Sequence, residues 1–285
     1  MVIISILTGL SLSGLAGARQ RAKIDKTKST IRKLHEIVLP HYESYATRRV
    51  VAYGTGRSRA RSRLTAIRRL MVDEMPDSWI EVSNSTPQTA VSRAIRSKYD
   101  SLVAKGNTYK FNQIRSGKTD VKETYGNLYA NAETLYAFVT VGAFSEGALE
   151  AFRSDEIGDI DGDHAPEFWD AWNRPIMFIR WPAAFRSAMQ TGDATAQPDP
   201  LDPLLVSGVN PTSGPHDWLV IPLIYSSGPD GATIDPLGDE PSYGIDNANT
   251  EFPADLGTIC YDNVRGTKKP GTADDSITNH DLISK

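Results

Sequence analysis

With 285 residues, 40% of them apolar, the chain is long enough to bury one or two sizeable cores. Its single cysteine, Cys260, excludes an internal disulfide framework. The net charge of −4 conceals a polarity: residues 1–70 carry fifteen Lys and Arg against three Asp and Glu, whereas residues 190–285 carry four against fifteen.

The first predicted element spans residues 1–39. No charge occurs from Val2 to Ala18; then Arg19, Arg21, Lys23, Lys26 and Lys28 follow within about three helical turns, with no proline before Pro40. The pattern predicts one helix of roughly 55 Å, its first half suited to lipid and its second to water. A signal peptide places its charges before the apolar run. Here they follow it, although Ala16-Gly17-Ala18 has the small-x-small form of a cleavage site. A short membrane anchor fits better, since ~17 residues is the lower limit for a span. Gly9, Gly14 and Gly17 stand among Ile and Leu, and such small residues let helix backbones approach closely. They predict packing against other helices rather than a solitary anchor.

Residues 40–155 read as a helical, water-soluble region. Tyr42 to Val51 continues the helix signal after Pro40, and Gly54-Thr55-Gly56 interrupts it. Leu64, Ile67, Leu70 and Met71 then repeat at helical spacing in a segment carrying Arg57, Arg59, Arg61, Arg63, Arg68 and Arg69, which ends before Pro76. Thr86-Pro87 opens another helix, with proline at the first helical position, running through Val91, Ile95 and Leu102 to Gly106. Tyr125 to Ala151 predicts a buried helix. Two readings of the arginines stand. Clustered cations gain affinity for nucleic acid by releasing counterions; equally, a solvated basic face pairs with the acidic half of a neighbouring copy. No aromatic residue interrupts Arg57 to Arg69, so a platform for stacking bases is lacking and nucleic acid is the lesser reading.

Residues 156–285 change character. Asp159, Asp161 and Asp163 form an Asp-x-Asp-x-Asp run like those that wrap calcium, but the spacing of Gly162 and Asp170 is not that of an EF-hand. A turn in which the carboxylates accept local amide hydrogens is the other reading. Phe168 to Pro175, with Asp170, Trp172 and Pro175, predicts a rigid corner before a strand from Met177 to Trp181. A second apolar strand leads from Trp218 to Tyr225 into Ser226-Ser227-Gly228-Pro229-Asp230-Gly231. An Asp-rich stretch with Asp274 and Asp275 comes near the end.

Catalytic signatures are missing. His35, His41, His164, His216 and His280 are scattered without His-Glu-x-x-His spacing. There is no cysteine pair for zinc, no Gly-x-Ser-x-Gly elbow and no Walker loop. Ser213, His216 and Asp217 are neighbours in sequence, which is not triad geometry.

In this order, the features resemble the type IV pilin-like proteins, including the pseudopilins of type II secretion. The resemblance covers residues 2–39, 168–181, 218–231 and 271–281. It implies an α+β fold: a long N-terminal stalk helix, a helical insertion and a small antiparallel sheet with C-terminal calcium-type loops. It implies one calcium ion held by Asp230, Asp274 and Asp275 with Ser227 nearby, and assigns Asp170, Trp172 and Pro175 to the corner that opens the sheet. It also implies a non-enzymatic subunit that assembles with copies of itself and with inner-membrane machinery, the N-terminal helix in the membrane and the body outside the cytoplasm. The family's basic leader, its Gly cleavage point and its Phe-Thr-Leu-x-Glu stretch are not present, so Met1 reads as a late start within that helix. Ala171 and Asn173 replace the usual Pro and Gly, Ser276 disturbs the closing pattern, and Ala232 to Pro270 separates loops that lie close together in the family. The competing functions are a membrane-anchored, calcium-stabilised binding module and a DNA-binding minor pilin.

Overall fold

A computed structural model describes residues 2–107, 129–142, 144–160, 162–182, 187–206, 218–229 and 277–283. Helix α1 is continuous over Val2–Ser44, about 65 Å at ~1.5 Å per residue. It runs straight through Pro40, which loses one helical hydrogen bond. Packing outweighs that loss. Thr27, Thr30, Ile31, Leu34, His35, Val38 and Tyr42 are buried at three- and four-residue spacing, a single face pressed into the body. The stalk proposed from sequence to end at residue 39 is thus part of the core from about Thr27 onward.

Helix α2 covers Gly56–Glu74, buries Leu64, Ile67 and Met71, and ends before Pro76 as expected. A short α3 (Trp79–Asn84) and α4 (Ala90–Leu102) follow. Helix α4 begins at Ala90 and not at Pro87. Thr89 accepts from the Ser92 N–H at 3.1 Å while the Ser92 hydroxyl accepts from the Thr89 N–H at 3.0 Å, and this reciprocal cap fixes the start. A π-helical turn, Val103–Asn107, ends it. Helix α5, Ala130–Val139, is buried over most of its length but shorter than the expected 125–151 helix. Residues 125–128 lie outside the described ones, and Ala148–Ala151 forms a separate 3-10 turn.

The strands are short. β1 (Ile157–Gly158) pairs antiparallel with β2 (Glu167–Phe168). β3 (Met177–Ile179), β4 (Leu223–Ser226) and β5 (Ile277–Thr278) form a second antiparallel sheet in the order β3-β4-β5, with Phe178 opposite Ile224 and Tyr225 opposite Thr278. The chain turns from β5 into α6, Asn279–Ile283. Every residue of β4 is buried, because α1 and α6 pack on this sheet. One continuous core joins Leu34 of α1, Ile67 of α2, Phe138 of α5, and Phe178 and Ile224 of the sheet. The molecule is therefore α+β, with a long N-terminal helix, further helices and two small antiparallel sheets.

Ion pairs seal the joints. Glu74, almost wholly buried, accepts from Arg48 and from the Tyr45 hydroxyl, each at 2.8 Å, where α1 meets α2. Arg180, fully buried after β3, donates to Glu81 at 2.8 Å and to the Met75 carbonyl at 2.6 Å. Among the described residues, no helix is long and apolar enough to cross a membrane.

Candidate functional site

The corner is the best-defined feature that the sequence singled out. Asp170, 1% exposed, accepts from the Trp172 N–H at 2.8 Å and the Arg174 N–H at 3.0 Å through Oδ1, and from the Ser226 hydroxyl at 2.7 Å through Oδ2. Trp169 and Pro175 bridge its two arms. Asn173 takes the left-handed conformation at φ 59°, which asparagine tolerates better than most residues, so it can stand where the resembled family has glycine. The corner also docks on the long helix, since the Ala171 N–H donates to the Thr27 hydroxyl at 3.1 Å.

Ser226 links this corner to the end of β4. Its Oγ accepts from the Gly228 N–H at 3.1 Å, and Arg174 donates to the Gly228 carbonyl at 2.7 Å. Ser227 is buried next to it. Because Ser226 pairs with Ile277, the two loops expected to hold calcium begin at adjacent backbone positions. Asp230, Asp274 and Asp275 lie outside the described residues, as do Ser213, His216 and Asp217. Among the described residues, no group of three or more His, Cys, Asp or Glu is placed to hold a metal.

Around Asp159 the structure draws a turn. Asp159 accepts from Gly162 at 2.7 Å, Asp163 at 3.2 Å and His164 at 2.9 Å, and Asp163 accepts from Ala165 at 2.8 Å. These are the local amide bonds of the Asx-turn reading. Asp161 lies outside the described residues.

Helix α1 has two environments. From Thr27 on it is clamped: the Thr30 hydroxyl and Lys33 both donate to buried Glu156, Lys33 at 2.9 Å. Burial opposes the charge on Glu156, but the Arg153 N–H, Lys33 and Thr30 together hold its carboxyl below the usual range. From Leu15 to Lys23 nearly every residue is exposed, and a side chain added at Gly17 would meet nothing within 4 Å. Gly9 and Gly14 belong to the same helix, nearer its start.

The arginines of α2 do not all face outward, as both readings of the sequence had them. Arg57 and Arg61 donate to the Leu205 and Val206 carbonyls, each at 3.0 Å, and Arg63 to the Ala46 carbonyl at 2.8 Å. Arg68 is buried against Asp199 at 3.1 Å, and burial still raises the Asp199 carboxyl above its usual value. Part of the basic helix thus organises its own chain, including a piece of the acidic half.

Sequence reasoning missed a buried polar network where α1 meets the C-terminal segment. Asn279 donates to His35 Nδ1 at 2.9 Å and to the Pro222 carbonyl at 3.0 Å, and accepts from the Ile224 N–H at 2.9 Å. His280 meets the Pro222 carbonyl through Nε2 at 3.3 Å and the Ser187 hydroxyl through Nδ1 at 2.8 Å. A neutral ring suits this arrangement, and burial pushes the His280 pKa down to about 4 and lowers that of His35. One signal was available: His35 falls on the buried stripe with Ile31, Leu34 and Val38.

Clefts open on the surface of the described residues. One of about 320 Å³ has Trp79, Lys98, Glu133 and Tyr136 in its lining, and burial lowers Lys98 to about 8. Lys98 donates to the Ala137 carbonyl and the Thr140 hydroxyl at the end of α5, a structural role as a helix cap. Another, about 670 Å³, lies on the outer face of α2. No protein-family model matches this chain, and no curated protein or solved structure proved similar to it.

Proposed function

We propose that this chain is a non-enzymatic structural subunit of a type IV pilus-like filament or type II secretion pseudopilus. The start of α1 would sit in the inner membrane and then pack against α1 of other copies, with the body outside the cytoplasm. The observation that carries this reading is the division of α1. One unbroken helix is clamped to the body from Thr27 onward, yet leaves the residues from Leu15 to Lys23 exposed to whatever lies beyond the chain. A rigid stalk held in this way transmits its packing to the body, which a flexible anchor does not. The uncharged, small-residue run that precedes it suits close helix approach in the absence of water.

Calcium fits the same reading. Asp230, Asp274, Asp275 and Ser227 offer the hard oxygen donors that calcium requires, and the loops that bear them leave the sheet side by side at Ser226 and Ile277. The ion would neutralise three carboxylates and tie the loops together.

Gly14→Leu tests the assembly reading. The full chain should still fold, because the core lies elsewhere, but filaments scored by electron microscopy should vanish. Filaments of normal abundance from Gly14→Leu would overturn it.

A further inference from the structure

The cleft on α2 is built from three parts. Its floor is a row of small side chains, Ser58, Ser62, Thr65 and Ala66, at i, i+4, i+7 and i+8 on one helical face. One wall is Val51 and Tyr53 in the connection from α1, held by the Tyr53 N–H donating to the Ser62 hydroxyl at 3.0 Å. Val206 completes the lining from a third segment, where Arg57 and Arg61 hold the Leu205 and Val206 carbonyls.

Apolar side chains at and beside this cleft face water. Val51, 69% exposed, and Tyr53, 76%, are in the lining, and Leu204, 61%, and Leu205, 54%, immediately precede Val206 in the chain; these are four of the seven exposed large hydrophobic residues among those described. Scattered singly they would need no explanation; two lining one cleft and two adjoining its Val206 mark an interaction surface. Exposed Arg57, Arg59, Arg61 and Arg69 belong to the same helix. Apolar walls beside a basic helix suit a segment that combines carboxylates with apolar anchors.

The chain contains such a segment. From Asp230 to Asp262 there are eight Asp and Glu and no Lys or Arg, interspersed with Leu237, Tyr243, Ile245, Phe252 and Leu256. We infer that the α2 cleft receives the 230–262 segment of a second copy of this chain. The inference rests on the filament reading above. The cleft and the acidic segment are different surfaces of one molecule, so their pairing between copies is heterologous, the kind of contact that builds an open filament rather than a closed dimer. Because Ser226 and Ile277 are paired, the chain on either side of the segment is tied together at one end of the sheet, and β4 stays intact while the segment engages a neighbour.

The probe is a synthetic peptide of residues 230–262 carrying Cys260→Ser, titrated against the full chain and followed by fluorescence anisotropy. Tyr53→Glu and Thr65→Glu place a like charge in the cleft at positions outside the core, so both variants should melt as the wild type does. Wild-type chain should bind the peptide, and binding should weaken about tenfold or more in either variant and with added salt. In sedimentation, self-association of the full chain should fall in both variants. Failure of the peptide to bind, binding insensitive to both variants, or unchanged self-association would each overturn the inference. The last of these with peptide binding intact points to the segment closing on its own copy. Retardation of duplex DNA by wild type but not by Thr65→Glu, without peptide binding, would make the cleft a nucleic-acid surface. If Gly14→Leu abolishes filaments while the cleft variants assemble normally, the filament reading stands and only this inference falls.

Discussion

His280 is fully enclosed and hydrogen-bonded through both ring nitrogens, so its protonation state is tied to the packing of the C-terminal segment on α1. Its pKa is about 4 in the folded chain against about 6.5 when exposed. Between those values the unfolded chain binds the proton and the folded chain does not. The contribution to stability is therefore complete above about pH 6.5 and is lost as the pH falls toward 4, on the order of 3 kcal/mol. Asp77 has the opposite slope: burial, only partly offset by Arg180, raises it to about 7, so acidification favours the fold at that residue. His280→Gln isolates the histidine, because glutamine can keep both hydrogen bonds but cannot titrate. Melting curves at pH 7.5, 5.5 and 4.5 should show wild type losing ground to His280→Gln as the pH falls. Parallel losses would mean that His280 takes up its proton as readily in the folded chain as in the unfolded one.

Among elements, α1 shows how packing decides what local rules leave open. Proline at position 40 does not break the helix because Val38 and Tyr42 on either side are held in the core. The clamp is the point to probe. Glu156→Ala leaves Lys33 without its acceptor and Thr30 with only the Lys26 carbonyl in a mostly buried site, and should cost about 1–3 kcal/mol in chemical denaturation. Lys26→Ala breaks a pair at 2.7 Å with half-exposed Asp155 and should cost less than Glu156→Ala does. Equal costs would show that the clamp is no stronger than a surface pair. The helices were legible because apolar spacing and capping are local: α2 ends where Pro76 requires, while α4 starts at the Thr89–Ser92 cap and not at Pro87. Met177 to Ile179 and Leu223 to Tyr225 lie within the two apolar runs that the sequence marked as strands, and β4 extends one residue further, to Ser226.

At the scale of the whole molecule, calcium removal is the informative perturbation. An ion bound only to the folded chain stabilises it by about 2.7 kcal/mol at a hundredfold excess over Kd. The full chain should melt lower in chelator, and calcium should restore it where magnesium does not, since calcium accepts the larger, irregular oxygen cage. Asp230→Ala and Asp275→Ala should each remove most of that response, and Asp161→Ala should leave it intact. An unchanged melting curve in chelator would remove calcium from the account. The measurement needs the whole of α1, because Ile31, Leu34 and Val38 are core residues and a chain begun at residue 40 would lose them.

What the sequence determined alone is what neighbours along the chain decide. It set the long N-terminal helix, the α+β class and the Asp170–Trp172–Pro175 corner, whereas Asp159 stood open between a calcium ligand and a local turn until the fold showed its amide bonds. The sequence also set the charge polarity, a matter of composition. Tertiary structure decided the rest. His35 meets Asn279 across 244 positions, Arg57 meets the Leu205 carbonyl across 148, and Thr27 meets Ala171 across 144. A residue's own pattern states that it is apolar or charged but not which distant group will satisfy it. The arginines of α2 therefore read alike in sequence, and the fold alone sorted them into those that hold carbonyls, one buried against Asp199, and the exposed ones beside an apolar cleft.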